Sequence, residues 1–154
     1  DNIAVGRIEA RDDRARIEEA ARRSLADAVI AKLPGGYEQM LGKRFGSGVE
    51  LSGGEWQKLA IARAYMRQAQ VMILDEPTAA LDARAEFEVF QRFRELSEGR
   101  TTVLISHRFS TVRMADRILV LRHGAVIEEG DHASLLAAGG LYAELFGLQA
   151  EGYR

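Results

Sequence analysis

The chain contains no cysteine, which excludes a disulfide framework, a thiolate metal site and thiol catalysis, and suits a reducing compartment such as the cytosol. An excess of one charge is missing too. Lys and Arg number 21 against 23 Asp and Glu, for a net charge of −2, so there is no electrostatic footprint for nucleic acid or an anionic membrane surface. No apolar run approaches the roughly 18 residues that a membrane-spanning helix needs. Proline is scarce, and Pro34 and Pro77 each stand where an element should stop. The opening Asp1-Asn2 and the charges that follow do not read as a signal peptide. A first residue other than Met makes the sequence read as an excerpt of a longer chain. It shows neither an internal repeat nor a low-complexity tract.

What is present fits one ordinary globular domain: 154 residues, 47% hydrophobic and 29% charged, enough to bury a core. Residues 11–33 space Ile17, Ala21, Leu25, Ala28 and Val29 at roughly helical intervals until Pro34-Gly35-Gly36 ends them. Arginines and acids nearly cancel from Arg7 to Arg23 and read as a solvated helix face. Residues 34–48 are glycine-rich and predict a structured loop, and a helix follows from Ser52 to about Gln68. "VMILD" (71–75) and "TTVLIS" (101–106) are short apolar runs, predicted as strands buried on both faces. Between them Asp82 is the expected N-cap of a helix that carries Phe87, Val89, Phe90, Phe93 and Leu96 inward and ends near Gly99. "DRILVLRHGAVIEEG" (116–130) predicts two strands joined at His123-Gly124. Two short helices follow, around Ser134 and over Leu141 to Gln149. This order points to an α/β fold rather than a helical bundle.

Three places could carry chemistry. In "VMILDEPTAALD" a strand delivers Asp75 and Glu76 to the carboxyl edge of a sheet, where open α/β folds bind ligands. Adjacent carboxylates repel, so they suit different tasks: one holds Mg²⁺ through its water shell, the other orients or deprotonates an attacking water. Pro77 stops the strand, because it cannot donate to a ladder. In "LSGGE" (51–55), Ser52 and Glu55 fit a capping box, worth about 1 kcal/mol. The box does not explain Gly53 and Gly54 in the first turn, where each costs on the order of 1 kcal/mol relative to Ala. Glycines there let a ligand approach the backbone, and free N–H groups at the positive helix end favour an anion. In "VLISHR", His107 leaves its strand at the same carboxyl edge. It would lie beside Glu76 if the two strands are neighbours, able to donate to a γ-phosphate oxygen. His123 in the hairpin turn and His132 at a helix start read as structural or solvated.

One part of a nucleotide site is missing. A P-loop needs G-x-x-x-x-G-K-[ST]. The single Gly-Lys pair, Gly42-Lys43, has Tyr37 in place of the first glycine and Arg44 in place of the hydroxyl. The chain has water-activating and phosphate-sensing residues without the main nucleotide cradle. That combination resembles the ATP-binding cassette (ABC) ATPases, the nucleotide-binding domains of ABC transporters. "LSGGE" is similar to the family signature, "VMILDE" to its Walker B strand, "AALD" to the D-loop and His107 to the switch histidine, in the family's order. "ILVLRHGAVIEEGDHASLL" resembles the family's C-terminal hairpin and helix, and "DNIAVG" (1–6) the segment after the Q-loop.

The resemblance implies an α/β fold, the C-terminal part of a P-loop NTPase of ABC type. Residues 1–68 would form the helical signature subdomain and 69–154 the C-terminal part of the ATPase core. The adenine platform, the P-loop and the Q-loop glutamine lie outside the sequence. Two such domains would pair head to tail, as a homo- or heterodimer, around two ATP molecules. Ser52, Gly53 and Gly54 would bind the ATP on the partner's P-loop. Glu76 as base, His107 at the γ-phosphate and Asp75 on Mg²⁺ through water would serve the ATP on their own, with Asp82 coupling the two sites. Glu55 departs from the glutamine more usual in transporter signatures; its carboxylate would repel a phosphate unless it turns back into the capping box.

"TAALD" and "SHRFSTVRMADRILVLRHGAVIEEGDH" are similar to exporters, and "LYAELFGLQAEGYR" resembles the short tail of a half-transporter. The expected function is the ATPase domain of an ABC exporter, joined to a transmembrane domain on the same polypeptide at the cytoplasmic face of the inner membrane, with no nucleic-acid partner. By itself the chain is expected to be inactive, with apolar strand edges left uncovered at "VMILD" and "TTVLIS". Alternatives are a soluble ABC-type translation factor, expected to read "TNHLD" at the D-loop, and a chromosome-maintenance ATPase, expected to carry heptads before the signature. A degenerate cassette acting as an interaction module is a third. Nothing in the sequence specifies a cargo.

Overall fold

A computed structural model of the chain describes residues 1–43, 46, 48–78, 81 and 83–151, with the backbone alone at 83–85. It divides into two compact units, Asp1–Met72 with Pro77–Val103, and Ile73–Glu76 with Leu104–Arg154.

The first unit opens with a 3₁₀ segment, Ala4–Ala10. Helix α1 (Arg14–Arg23) is N-capped by Asp13, whose carboxylate accepts the Arg16 N–H at 3.0 Å. The single helical segment expected over 11–33 is broken. Leu25 turns left-handed at φ +61°, and α2 covers only Asp27–Ile30. The cause is local: Ser24 Oγ donates to the Ala21 carbonyl at 3.0 Å and accepts from the Ala26 N–H at 3.3 Å, in competition with the helix ladder. The break lets Ala20, Ala21, Ala26, Val29 and Ile30 all reach the interior. Residues 34–48 hold a 3₁₀ turn at Gly36–Glu38. The loop is closed by a bridge between Leu41 and Val49.

Helix α3 (Gly53–Arg67) starts at Ser52 and ends on a left-handed Gln68, as its start and stop signals predict. It buries Leu59, Ile61, Ala62, Tyr65 and Met66 against α1, the N-terminal 3₁₀ segment and α4 (Ala83–Ser97). On α4, Val89, Phe93 and Leu96 are buried, whereas Phe87 is 65% exposed. At 100° per residue, positions 89, 93 and 96 share one face and 87 falls about 200° from 89, so Phe87 does not point inward as expected. Asp82, the expected cap, lies outside the described residues.

Strands β1 (Val71–Asp75) and β2 (Thr101–Ile105) are neighbours in one sheet. The Thr101 N–H donates to the Gln70 carbonyl at 3.1 Å and the Glu76 N–H to the Ile105 carbonyl at 2.9 Å. Both strands advance together, so the pair is parallel. The expected burial of both faces is not found: Val71 and Ile73 are 59% and 67% exposed, Val103 and Ile105 47% and 49%. Alternate residues share a face, and parallel strands are buried on both sides only where a layer covers each.

In the second unit β3 (Ile118–Arg122) and β4 (Ala125–Gly130) form the expected antiparallel hairpin. His123 and Gly124, at φ +51° and +79°, supply the two positive-φ positions of a tight primed turn. Helices α5 (Phe109–Val112), α6 (His132–Ala138) and α7 (Leu141–Glu151) complete the unit. Its core is Ile118, Leu135 and Tyr142, with Phe109, Val112 and Val120 packed around them. Helices with parallel and antiparallel strands make the chain α/β.

Candidate functional site

The first candidate residues sit at the start of α3. Ser52 is extended (φ −64°, ψ 161°) and its Oγ accepts the Glu55 N–H at 3.4 Å. In return the Glu55 carboxylate accepts the Ser52 N–H and the Ser52 hydroxyl, both at 2.8 Å. The acid is therefore turned back into the capping box. The hydrogen bond from the Ser52 backbone, then that from its hydroxyl, holds the Glu55 carboxyl below its ordinary range. Helix geometry leaves the N–H groups of Gly53 and Gly54 without intrahelical acceptors. Ser52 and Gly53 are exposed. Gly54 has a packing reason as well: a Cβ there would lie 3.3 Å from Leu81 Cδ2.

The second group is at the carboxyl ends of β1 and β2. Asp75 closes β1 and is exposed. Glu76 takes φ +44°, a left-handed conformation that non-glycine residues seldom adopt and that costs on the order of 1 kcal/mol or more. Its N–H bond to Ile105 locks that turn, and its carboxylate Oε1 then lies 2.7 Å from His107 Nδ1. The His107 side chain is 70% exposed and that of Glu76 36%. Neighbouring parallel strands bring the two residues together, as their shared sheet edge requires.

Among the described residues no three metal-ligating side chains gather. Mg²⁺ needs no such cluster, being held by one or two carboxylates with waters and substrate phosphates. An exposed Asp75 at a strand end fits that mode. Ser52, Gly53 and Gly54 belong to the first unit, and Asp75, Glu76 and His107 to the second. His132 is occupied within its own unit, its Nδ1 2.8 Å from the Tyr142 hydroxyl.

Two contacts near these residues have no motif to announce them. Thr78, buried just after Glu76, pairs with Glu86 at 3.4 Å. Gln149 of α7 reaches the segment after β2: its Oε1 accepts the Phe109 N–H at 2.9 Å and its Nε2 donates to the His107 carbonyl at 3.4 Å.

A family model described as ABC transporter matches residues 4–79. An ATP-dependent lipid A-core flippase of Burkholderia orbicola (strain AU 1054) is 49% identical over 149 residues, covering 96% of this chain and 24% of its own length. The cyclolysin secretion/processing ATP-binding protein CyaB of Bordetella pertussis (strain Tohama I) is 48% identical over 150 residues, 97% of this chain and 20% of its own. A solved structure of a bacterial Atm1-family ABC exporter with ATP bound superposes with a TM-score of 0.86 at 42% identity, over 97% of this chain and 25% of that one. The chain spans about a quarter or less of the length of the curated relatives it matches.

Proposed function

The chain belongs to the ABC transporter family, as an exporter-type nucleotide-binding domain segment, and from that premise we propose that it is part of the ATPase domain of an ABC exporter. Two such domains, identical or not, pair head to tail around two ATP molecules. Ser52 and the backbone N–H groups of Gly53 and Gly54 face the phosphate held by the partner. Asp75, Glu76 and His107 serve the other ATP. The functional division at 68/69 follows these motifs. A transmembrane domain on the same polypeptide puts the assembly on the cytoplasmic face of the membrane. Relatives named as a flippase, a secretion protein and an exporter favour this reading over a translation factor or a chromosome-maintenance ATPase.

The observation that carries the catalytic half is the Glu76–His107 contact on a strained turn at the sheet's carboxyl edge. Phosphoryl transfer needs little covalent chemistry from a protein; it runs on positioning and electrostatics. Glu76 orients the attacking water and takes its proton. His107 places its imidazole between that carboxylate and the phosphate. A neutral ring giving Nδ1–H to Glu76 keeps a lone pair at Nε2, and only the doubly protonated ring donates from both nitrogens. Mg²⁺, held through water by Asp75, supplies charge neutralisation at the phosphate oxygens when bound. In the longer protein that carries this chain, Glu76→Gln lowers ATP turnover by about 10²- to 10⁴-fold, the usual worth of a general base, while ATP binding persists. Turnover close to wild type would give the base's role to another residue.

A further inference from the structure

From the contacts of helix α7 we infer that Gln149 is a positioning residue for His107, so that the C-terminal helix sets the geometry of the catalytic pair. The inference rests on the catalytic reading of Glu76 and His107 given above. Its observation is independent of that reading: one primary amide spans the backbone on both sides of Arg108. Gln149 Oε1 accepts the Phe109 N–H at 2.9 Å, and Nε2 reaches the His107 carbonyl at 3.4 Å. A glutamine amide is the one uncharged side-chain group of that length that offers an acceptor and a donor side by side.

The amide is itself held in place. The Phe109 ring meets Tyr142 edge to face with centroids 5.1 Å apart and Phe146 at 5.4 Å. Both partners are on α7, so the helix that carries Gln149 is seated on the residue that Gln149 bonds. Edge-to-face aromatic pairs of this kind add to the area they bury. The base of α7 is fixed as well, since Glu128 of β4 accepts the N–H groups of Leu141 and Tyr142 at 2.5 Å and 3.1 Å.

His107 is mostly exposed, and the wall of an exposed ring cannot fix its orientation by packing. What fixes it is the backbone that carries it and the bond to Glu76 at 2.7 Å. Glu76 is tied to β2 through Ile105. Gln149 ties the other side, immediately after the ring. A catalytic group released on one side drifts by fractions of an ångström, enough to lower a rate without altering substrate affinity.

The test uses the intact natural protein and three variants. Hydrogen–deuterium exchange of the peptide that contains Phe109 reads the contact directly. Gln149→Ala speeds exchange of that amide by about tenfold or more, with α7 peptides unchanged because the aromatic seat remains. ATP turnover falls by roughly five- to twentyfold at a KM for ATP within about twofold of wild type. Gln149→Glu keeps the acceptor and loses the donor, so the Phe109 amide stays protected while turnover falls as in the alanine variant. Exchange unchanged in Gln149→Ala, or exchange raised with turnover intact, overturns the inference. Glu76→Gln in the same preparation separates the two failures. Turnover indifferent to both substitutions removes the catalytic reading beneath the inference; turnover sensitive to Glu76→Gln alone removes the role of Gln149.

Discussion

A glutamate at φ +44° is strained backbone at the end of β1, where the proposed catalytic pair sits. Glycine holds that conformation without a Cβ penalty. Glu76→Gly is therefore expected to leave folding stability unchanged or raise it by up to about 1 kcal/mol, while abolishing turnover; thermal unfolding and ATPase assays on one preparation check both. Glu55 carries the second residue-scale prediction. Its carboxyl lies below the ordinary value of 4.5, chiefly through the Ser52 backbone hydrogen bond. A depressed folded-state pKa contributes stability that is present above 4.5 and lost as pH falls through the lower folded value. Glu55→Gln keeps a neutral acceptor for the Ser52 N–H and so flattens that part of the acid side of a stability–pH profile. The similar box at Asp131, held low by the Ser134 backbone, retains its own loss. An acid side as steep in the variant as in wild type would remove Glu55 from the account. At this scale the sequence was readable where a residue type has one good use, as with Ser52, Glu55 and the Glu76–His107 pair. Gln149 was not, because its partners lie 40 and 42 residues away and no local pattern marks them.

Elements formed where the signals were local. Helix α3 has its cap and stop written into adjacent residues, and the β3–β4 hairpin has His123-Gly124. The segment 11–33 breaks at Ser24, whose side chain competes with the ladder, an outcome that hydrophobic spacing does not encode. Burial of β1 and β2 depends on what covers each face, which a strand's own residues cannot state. Two substitutions test the packing. A Cβ on Gly6 would stand 2.2 Å from the Arg63 carbonyl oxygen, a backbone atom that cannot swing away. Gly6→Ala should push the N-terminal segment off α3 and destabilise the fold by about 1–3 kcal/mol, measured by denaturant unfolding. Glu128→Ala removes the acceptor for two N–H groups at the start of α7, expected to cost about 1 kcal/mol and to speed proteolysis of α7.

Across the whole molecule the proposed function divides the labour between two ATP molecules. On the function proposed above, Ser52–Gly54 would face a phosphate, Asp75 would hold Mg²⁺ through water, and Glu76 and His107 would serve the attacking water and the γ-phosphate, yet the sequence contains no P-loop motif. These 154 residues by themselves are expected to bind ATP weakly or not at all by calorimetry; low-micromolar binding would mean that they cradle nucleotide in some other way. The most direct measurement joins two copies of the natural protein covalently and places two lesions in them: Glu76→Gln, and Gly53→Asp. The aspartate suits a helix start but repels phosphate. If the two motifs serve different ATP molecules, lesions on separate copies spoil the same site and leave the other intact, so ATP turnover survives. Both lesions on one copy then spoil both sites, and turnover is lost. The reverse pattern, activity with both lesions on one copy and none when they are separated, would contradict the head-to-tail account.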